Sequence, residues 1–128
     1  MDIGIGKTVD LPYDVALAKV EEALKKEGFG ILTRIDVKAT LKEKLGVDFT
    51  PFVILGACNP PLAHRALEAA PAIGLMLPCN VVVRQTDPGH TRIEAVNATA
   101  MASLFPEADL SAVAGEVAER LARVIASV

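Results

Sequence analysis

Residues 52–61 read Phe-Val-Ile-Leu-Gly-Ala-Cys-Asn-Pro-Pro, a continuous apolar run that stops at a strong helix-starting signal. An apolar run of this length predicts a central β-strand over 52–57 that is buried on both faces. Asn is favoured at the residue that caps a helix, and Pro suits the first helical turn. We therefore predict that Cys58 lies between this strand and a helix that begins at Pro60-Pro61 and ends near Ala70.

The segments before this strand alternate between strand and helix patterns. Apolar residues recur at Tyr13, Leu17, Val20 and Leu24, a spacing typical of an amphipathic helix. Gly28 follows at a position that favours a left-handed backbone. The predicted elements of this half are a strand over 3–9, a helix over 12–26, a strand over 29–35, and a short helix that Asp36 caps and Gly46 ends.

The residues that follow the central strand and the helix after it predict an irregular stretch, a hairpin and a last helix. We expect residues 71–78 to be irregular and 80–84 to form a strand. Asp-Pro-Gly-His at 87–90 is a turn signal, so a second strand over 91–96 should pair antiparallel with the first. Asp109 is the predicted cap of a helix over 110–127. Its core stripe is Leu110, Val113, Val117, Leu121 and Val124.

A second stripe on the last helix contains only alanines at i+4 spacing. Small residues permit close approach of another element such as a second subunit, although good helix formers also fill such a face without a partner. Because two-fold dimers are the commonest oligomers, we expect a homodimer. The stripe consists of Ala114, Ala118, Ala122 and Ala126.

The order of elements predicts one α+β domain over residues 1–128. A chain of 128 residues matches the usual size of a single domain. The late hairpin and the mixed order of strands and helices favour α+β over a doubly wound parallel sheet.

Composition excludes several classes of partner. A net charge of -3, only 4% aromatic residues and no Trp argue against a nucleic-acid partner. The longest uncharged stretch, over 69–83, is interrupted by prolines and is shorter than the ~20 residues that cross a membrane. The N-terminus does not resemble a secretory signal, so we expect a cytoplasmic protein. No cofactor is indicated.

The two cysteines lie in the part of the chain that carries the fewest charges. Cys58 falls where a buried strand gives way to a helix, a setting that can lower the pKa of a thiol. Cys79 begins the next strand and is also followed by an Asn. Free cysteine is equally a common inert core residue, so packing, reactivity and metal binding all remain open.

Whether the cysteines meet depends on how the two strands run. A return of the chain through 71–78 would make the strands antiparallel and bring both cysteines to one end of the sheet. A right-handed parallel crossover would place them ~20 Å apart. We favour the antiparallel arrangement.

His64 is the remaining metal-ligand candidate. Cys58, Cys79, His64 and Glu68 could together supply sulfur, nitrogen and oxygen ligands. Their spacing matches no standard zinc pattern, and a partly exposed helical histidine is the simpler interpretation. No Ser-His-acid arrangement is evident, which favours a binding role over an enzyme without deciding the matter.

Several short motifs resemble those of an uncharacterised family, the "domain of unknown function 302". They are Ile-Leu-Gly-Ala-Cys-Asn-Pro at 54–60, Leu-Pro-Cys-Asn-Val at 77–81, Gly-Phe-Gly at 28–30 and Lys-Leu-Gly at 44–46. The resemblance covers the full length. It implies a TATA-binding-protein-like α+β fold, a curved and mainly antiparallel sheet of about five strands with two long helices and further short ones. It implies no biochemical role, and the fold type alone indicates no DNA binding.

Three functional interpretations follow. The first is a module that binds a small ligand or a soft metal. The second is a structural or interaction homodimer with core cysteines. The third is a thiol-dependent enzyme or redox protein in which Cys58 is the nucleophile and Cys79 is the second catalytic candidate. The residues of the predicted ligand site are Cys58, Asn59, Pro60, Cys79 and Asn80, within the motifs at 58–60 and 78–80.

Overall fold

The computed structural model of the protein describes residues 2–128. Its strands are β1 (Gly4–Val9), β2 (Gly30–Asp36), β3 (Phe52–Cys58), β4 (Cys79–Asp87) and β5 (His90–Val96). Its α-helices are α1 (Tyr13–Lys26), α2 (Val37–Leu45), α3 (Pro60–Ala69), α4 (Ala98–Ala102) and α5 (Ser111–Ala126), and a 3-10 helix spans Pro71–Met76.

The strands of the described residues form one open antiparallel sheet in the order β1-β5-β4-β3-β2. β2 through β5 follow one another in space as in sequence, and β1 adds to the free edge of β5. The sheet packs against the two long helices, α1 and α5. The fold is therefore α+β, as the sequence predicts.

One face of the sheet is buried, and it forms what we call the main core. Alternate residues of the central strands point to this face and meet the apolar stripes of α1 and α5. Its members with no exposed surface are Ala16, Val20, Leu24, Leu55, Ala57, Val81, Val83, Ile93, Leu121 and Val124.

The prediction that β3 is buried on both faces is wrong. Val53, Leu55 and Ala57 face the main core, whereas Phe52 and Ile54 on the other face remain partly exposed. The continuous apolar run over 52–57 therefore does not mean that both faces of β3 are buried. It reflects a one-sided antiparallel sheet whose outer face is also partly apolar.

A smaller group of buried residues, which we call the second core, lies beside α3. The 3-10 helix, α4 and the start of α5 complete it. Its buried members are Leu62, Ala70, Ile73, Leu110 and Val113.

Several predicted helix ends are confirmed. The Asp36 carboxylate accepts a hydrogen bond from the Ala39 amide at 2.9 Å, which caps α2. Gly46 ends that helix with φ 67°, and Gly28 follows α1 with φ 84°, both in the left-handed region that favours glycine.

The predicted cap of α5 is wrong by one residue. Leu110 occupies the N-cap, and the Asp109 carboxylate accepts a hydrogen bond from the Ser111 hydroxyl at 3.2 Å instead. Leu110 is 3% exposed in the second core. Burial of this leucine therefore sets where the helix begins, and the polar side chain before it adapts.

Two short elements were not predicted. The segment expected to be irregular contains the 3-10 helix Pro71–Met76, and α4 follows β5 directly. The Asn97 side chain caps α4 by accepting hydrogen bonds from the amides of Thr99 and Ala100. Both elements line the second core.

The alanine stripe of α5 changes environment along the helix. Ala114 is buried against the second core, Ala118 is half-buried, and Ala122 and Ala126 are exposed. The homodimer stays a prediction. None of the helices formed by residues 2–128 has both the length and the apolar character needed to cross a membrane.

Candidate functional site

The sheet register brings the two cysteines together. β3 and β4 are antiparallel, and Ala57 lies directly opposite Cys79, so Cys58 and Cys79 sit at the same end of adjacent strands. The 3-10 helix and the turn after it return the chain to this end. The predicted antiparallel arrangement is confirmed.

Both cysteines line a cavity of about 290 Å³ between this end of the sheet and the second core. Helices α3, α4 and α5 and the 3-10 helix contribute apolar walls. Among all the lining residues, Asn59 and the two cysteines alone carry a polar side-chain group. Ligand pockets of small molecules are built in this way, mostly apolar with a few polar groups.

The two thiols differ in their surroundings. Cys58 is partly exposed and Cys79 is buried, and both are free rather than disulfide-bonded. Burial disfavours the charged thiolate of Cys79, and the neighbouring Cys58 adds to this effect; together they raise the pKa of Cys79 to about 11. Cys79 is therefore a neutral thiol at physiological pH, and Cys58 is the more exposed of the two residues.

Asn59 has a structural role that uses both ends of its amide. Its Oδ1 accepts a hydrogen bond from the Leu62 amide at 3.4 Å, which caps α3 as predicted. Its Nδ2 donates to the carbonyl oxygen of Glu27 at 3.3 Å. The Arg120 guanidinium donates to the same carbonyl at 3.0 Å. The Asn59 side chain thus joins the end of α1 to the start of α3.

The remaining residues of the two Cys-Asn motifs are placed differently. Pro78 lines the cavity, and the Leu77–Pro78 peptide bond is cis. Pro60 is exposed in the first turn of α3 and does not line it. Asn80 is also exposed and faces a shallow groove on the other side of the sheet, beside Arg92 and Glu94. The cavity therefore brings together Cys58, Asn59, Pro78 and Cys79, without Pro60 and Asn80.

His64 lies apart from the cysteines. Its Nε2 is 2.8 Å from the Glu68 carboxylate one turn along α3, and its side chain is 75% exposed. Neither residue lines the cavity. Within residues 2–128, no three His, Cys, Asp or Glu side chains group so as to hold a metal ion. The soft-metal prediction therefore rests on the two thiols.

Several cavity residues were not predicted from the sequence. Leu32 lines the cavity at a bulge between Ile31 and Thr33, an extra residue that redirects the side chain. Met101 comes from α4, which is too short for a helical period to be recognised. The spacing of Leu62 and Ala66, at i and i+4 on α3, is a signal that could have indicated an apolar face on this helix.

The fold is that of a small α+β protein, and the cavity described above is apolar and bordered by two cysteines. The family model described as "Domain of unknown function DUF302" matches residues 5–128. The chain belongs to this family, as its motifs predict.

A solved structure of a relative supports the same assignment. The crystal structure of an uncharacterised conserved DUF302 protein from Bacillus stearothermophilus superposes with a TM-score of 0.88 at 35% sequence identity. The alignment covers 99% of this chain and 98% of that one. No curated protein matches the chain.

Proposed function

We propose that the protein binds a small, uncharged, apolar molecule in the cavity beside Cys58 and Cys79. The supporting observation is the cavity itself, about 290 Å³ lined almost wholly by apolar side chains. Ligand pockets are typically clefts of about 300–1,000 Å³, so this cavity lies at the lower end of that size range.

The polar groups of the lining restrict the class of ligand. Asn59 already uses its amide to cap α3 and to bond Glu27. The lining contains no Lys, Arg or His that would pair with an anion, and no Asp or Glu that would pair with a cation. A charged ligand would lose its hydration without a partner, at a cost of several kcal/mol. The site therefore favours a neutral molecule with few polar atoms.

Titration with the neutral fluorescent probe N-phenyl-1-naphthylamine tests the proposal. We expect saturable enhancement of its fluorescence at one probe per chain. Ala66→Leu extends a lining side chain into the cavity and should weaken binding by at least about tenfold.

Ala69→Leu is the matched control, because Ala69 lies on the same helix but is exposed. It should leave the affinity within about twofold of the wild type, since it changes only the surface. Equal binding by both variants would place the probe elsewhere on the surface. Failure of the wild type to bind the probe or smaller neutral aromatics such as indole would refute the proposal.

A further inference from the structure

We propose that Cys58 covalently captures apolar α,β-unsaturated carbonyl compounds that enter the cavity, with one molecule bound per chain. This inference rests on the proposed function, because the cavity must first admit the ligand. It adds the chemical class of that ligand and the atom that holds it.

The placement of the thiols supports this assignment. Among the residues that line the cavity, Cys58 and Cys79 alone carry a nucleophilic group, and they lie at the same end of adjacent strands. Cys79 is 7% exposed, has no charged group beside it in the lining, and keeps its proton because burial raises its pKa. Cys58 is partly exposed, whereas Cys79 is buried. Cys58 is therefore the nucleophile.

The apolar lining favours the product of the reaction. The Cys58 sulfur forms a bond to the β-carbon of the ligand, and the electron pair of the C=C bond moves towards the carbonyl oxygen. The resulting enolate takes up a proton at the α-carbon. The net change moves the thiol proton of Cys58 to the ligand, with no leaving group and no oxidant. The product is a neutral thioether that carries the apolar part of the ligand, which suits the apolar lining.

The same lining indicates capture rather than turnover. Reversal of the addition removes a proton from the α-carbon and expels the thiol, so a catalysed reversal needs a general base within hydrogen-bond reach. The lining contains no His, Asp, Glu, Lys or Tyr, and His64 is turned away towards Glu68. The adduct should therefore persist.

The test uses trans-3-nonen-2-one, an apolar enone that forms few imines with lysine. The intact chain should gain the mass of one enone, and peptide mapping should locate it on Cys58. Cys58→Ser should abolish the adduct, and Cys79→Ala should retain it. Mapping on the wild-type protein keeps the assignment testable if either variant fails to fold.

Two controls separate capture in the cavity from ordinary thiol chemistry. The saturated ketone 2-nonanone has the same shape without the reactive bond, and an excess should slow labelling. Ala66→Leu should slow labelling by about tenfold and Ala69→Leu should not, since proximity in the cavity drives the reaction. Acrylamide, small and polar, should react at similar rates with all three proteins.

The outcomes are distinct. The capture proposal is overturned if the enone labels Cys79 before Cys58. It is also overturned if the cysteines are labelled only after the protein unfolds, or if Ala66→Leu does not change the labelling rate. If N-phenyl-1-naphthylamine binds and no adduct forms, the capture proposal fails and the proposed function stands. If neither occurs, both fail.

Discussion

The main core and the second core are built from similar residues but are packed differently. In the main core, ten apolar side chains across β3, β4, β5, α1 and α5 have no exposed surface. In the second core, every buried member retains 3% to 9%, and the cavity lies among them. A sheet face with two long helices allows close interdigitation, whereas short helices and turns leave space. We therefore expect the first region to stabilise the fold and the second to hold the proposed binding site.

Truncating one leucine to alanine in each core should give the largest change in the free energy of unfolding, and it tests this contrast directly. Leu55→Ala, in the central strand, should lower the free energy of unfolding by about 3–5 kcal/mol, because the surrounding backbone cannot collapse. Leu110→Ala, at the edge of the cavity, should cost about 2 kcal/mol, because its neighbours are less constrained. Urea unfolding of both variants gives the comparison. An equal or larger loss at Leu110 would mean that the second core is as rigid as the main core.

The boundary between the two regions should be sensitive to alkaline pH. The Cys79 thiol has a pKa of about 11 in the folded protein, against about 8.5 in an unfolded chain. Above pH 8.5 the unfolded chain loses this proton first, so stability falls as pH rises towards 11, by about 2–3 kcal/mol. Cys79→Ala should remove this part of the slope in urea titrations at pH 8 and 11. An unchanged slope would show that Cys79 is not buried as described.

Enlarging an alanine should change the free energy of unfolding in opposite directions in the two cores. Ala16 is fully buried on α1, and Ala16→Leu should destabilise by about 1–3 kcal/mol through overpacking. Ala66→Leu adds the same atoms next to the cavity and should stabilise by about 1 kcal/mol. Both residues are helical, so helix propensity cancels. Thermal unfolding distinguishes the signs, and destabilisation by both changes would mean that the cavity does not accept a side chain.

The smallest effect is expected far from the site, where His90 lies between Asp87 and Asp10 at 2.6 Å and 2.9 Å. The hydrogen bond and charge of Asp87, followed by those of Asp10, raise the pKa of His90. The stabilising contribution is therefore complete below about pH 6.5 and is lost as pH rises through the raised value. His90→Gln should reduce stability more at pH 5.5 than at pH 9 and should leave probe binding unchanged. A pH-independent loss would assign His90 a packing role.

Local sequence signals were sufficient for most of the fold. The apolar run before Cys58, the caps Asp36 and Asn59, and Gly46 all act through neighbouring backbone groups, so their effects are readable without tertiary information. The prediction that the two cysteines meet depended on β4 running antiparallel to β3, which the structure confirms. The cap of α5 was mispredicted because burial of Leu110, a tertiary effect, decides where that helix begins.

The candidate site was predicted only in part, for the same reason. Cys58 and Cys79 could be named because their spacing and flanking residues are local features. The bulge at Leu32 and the five-residue α4 depend on pairing and packing with distant segments. Asn80 follows Cys79 directly, but successive strand residues point to opposite faces of the sheet. The Asn80 side chain therefore points away from the cavity that Asn59 borders.

The 3-10 helix Pro71–Met76 has a consequence for the mobility of the cavity wall, to which it contributes Ile73. Its ends are held by the bonds Ile73 N–H to Ala70 O and Leu77 N–H to Gly74 O, at 2.9 Å and 3.4 Å, and it leaves Leu75 86% exposed. Short 3-10 segments have weak hydrogen-bond geometry, so this one should open locally while the sheet stays intact. We expect its amide hydrogens to exchange with solvent well before those of β3. Bound N-phenyl-1-naphthylamine should slow that exchange, because an occupied cavity penalises each opening.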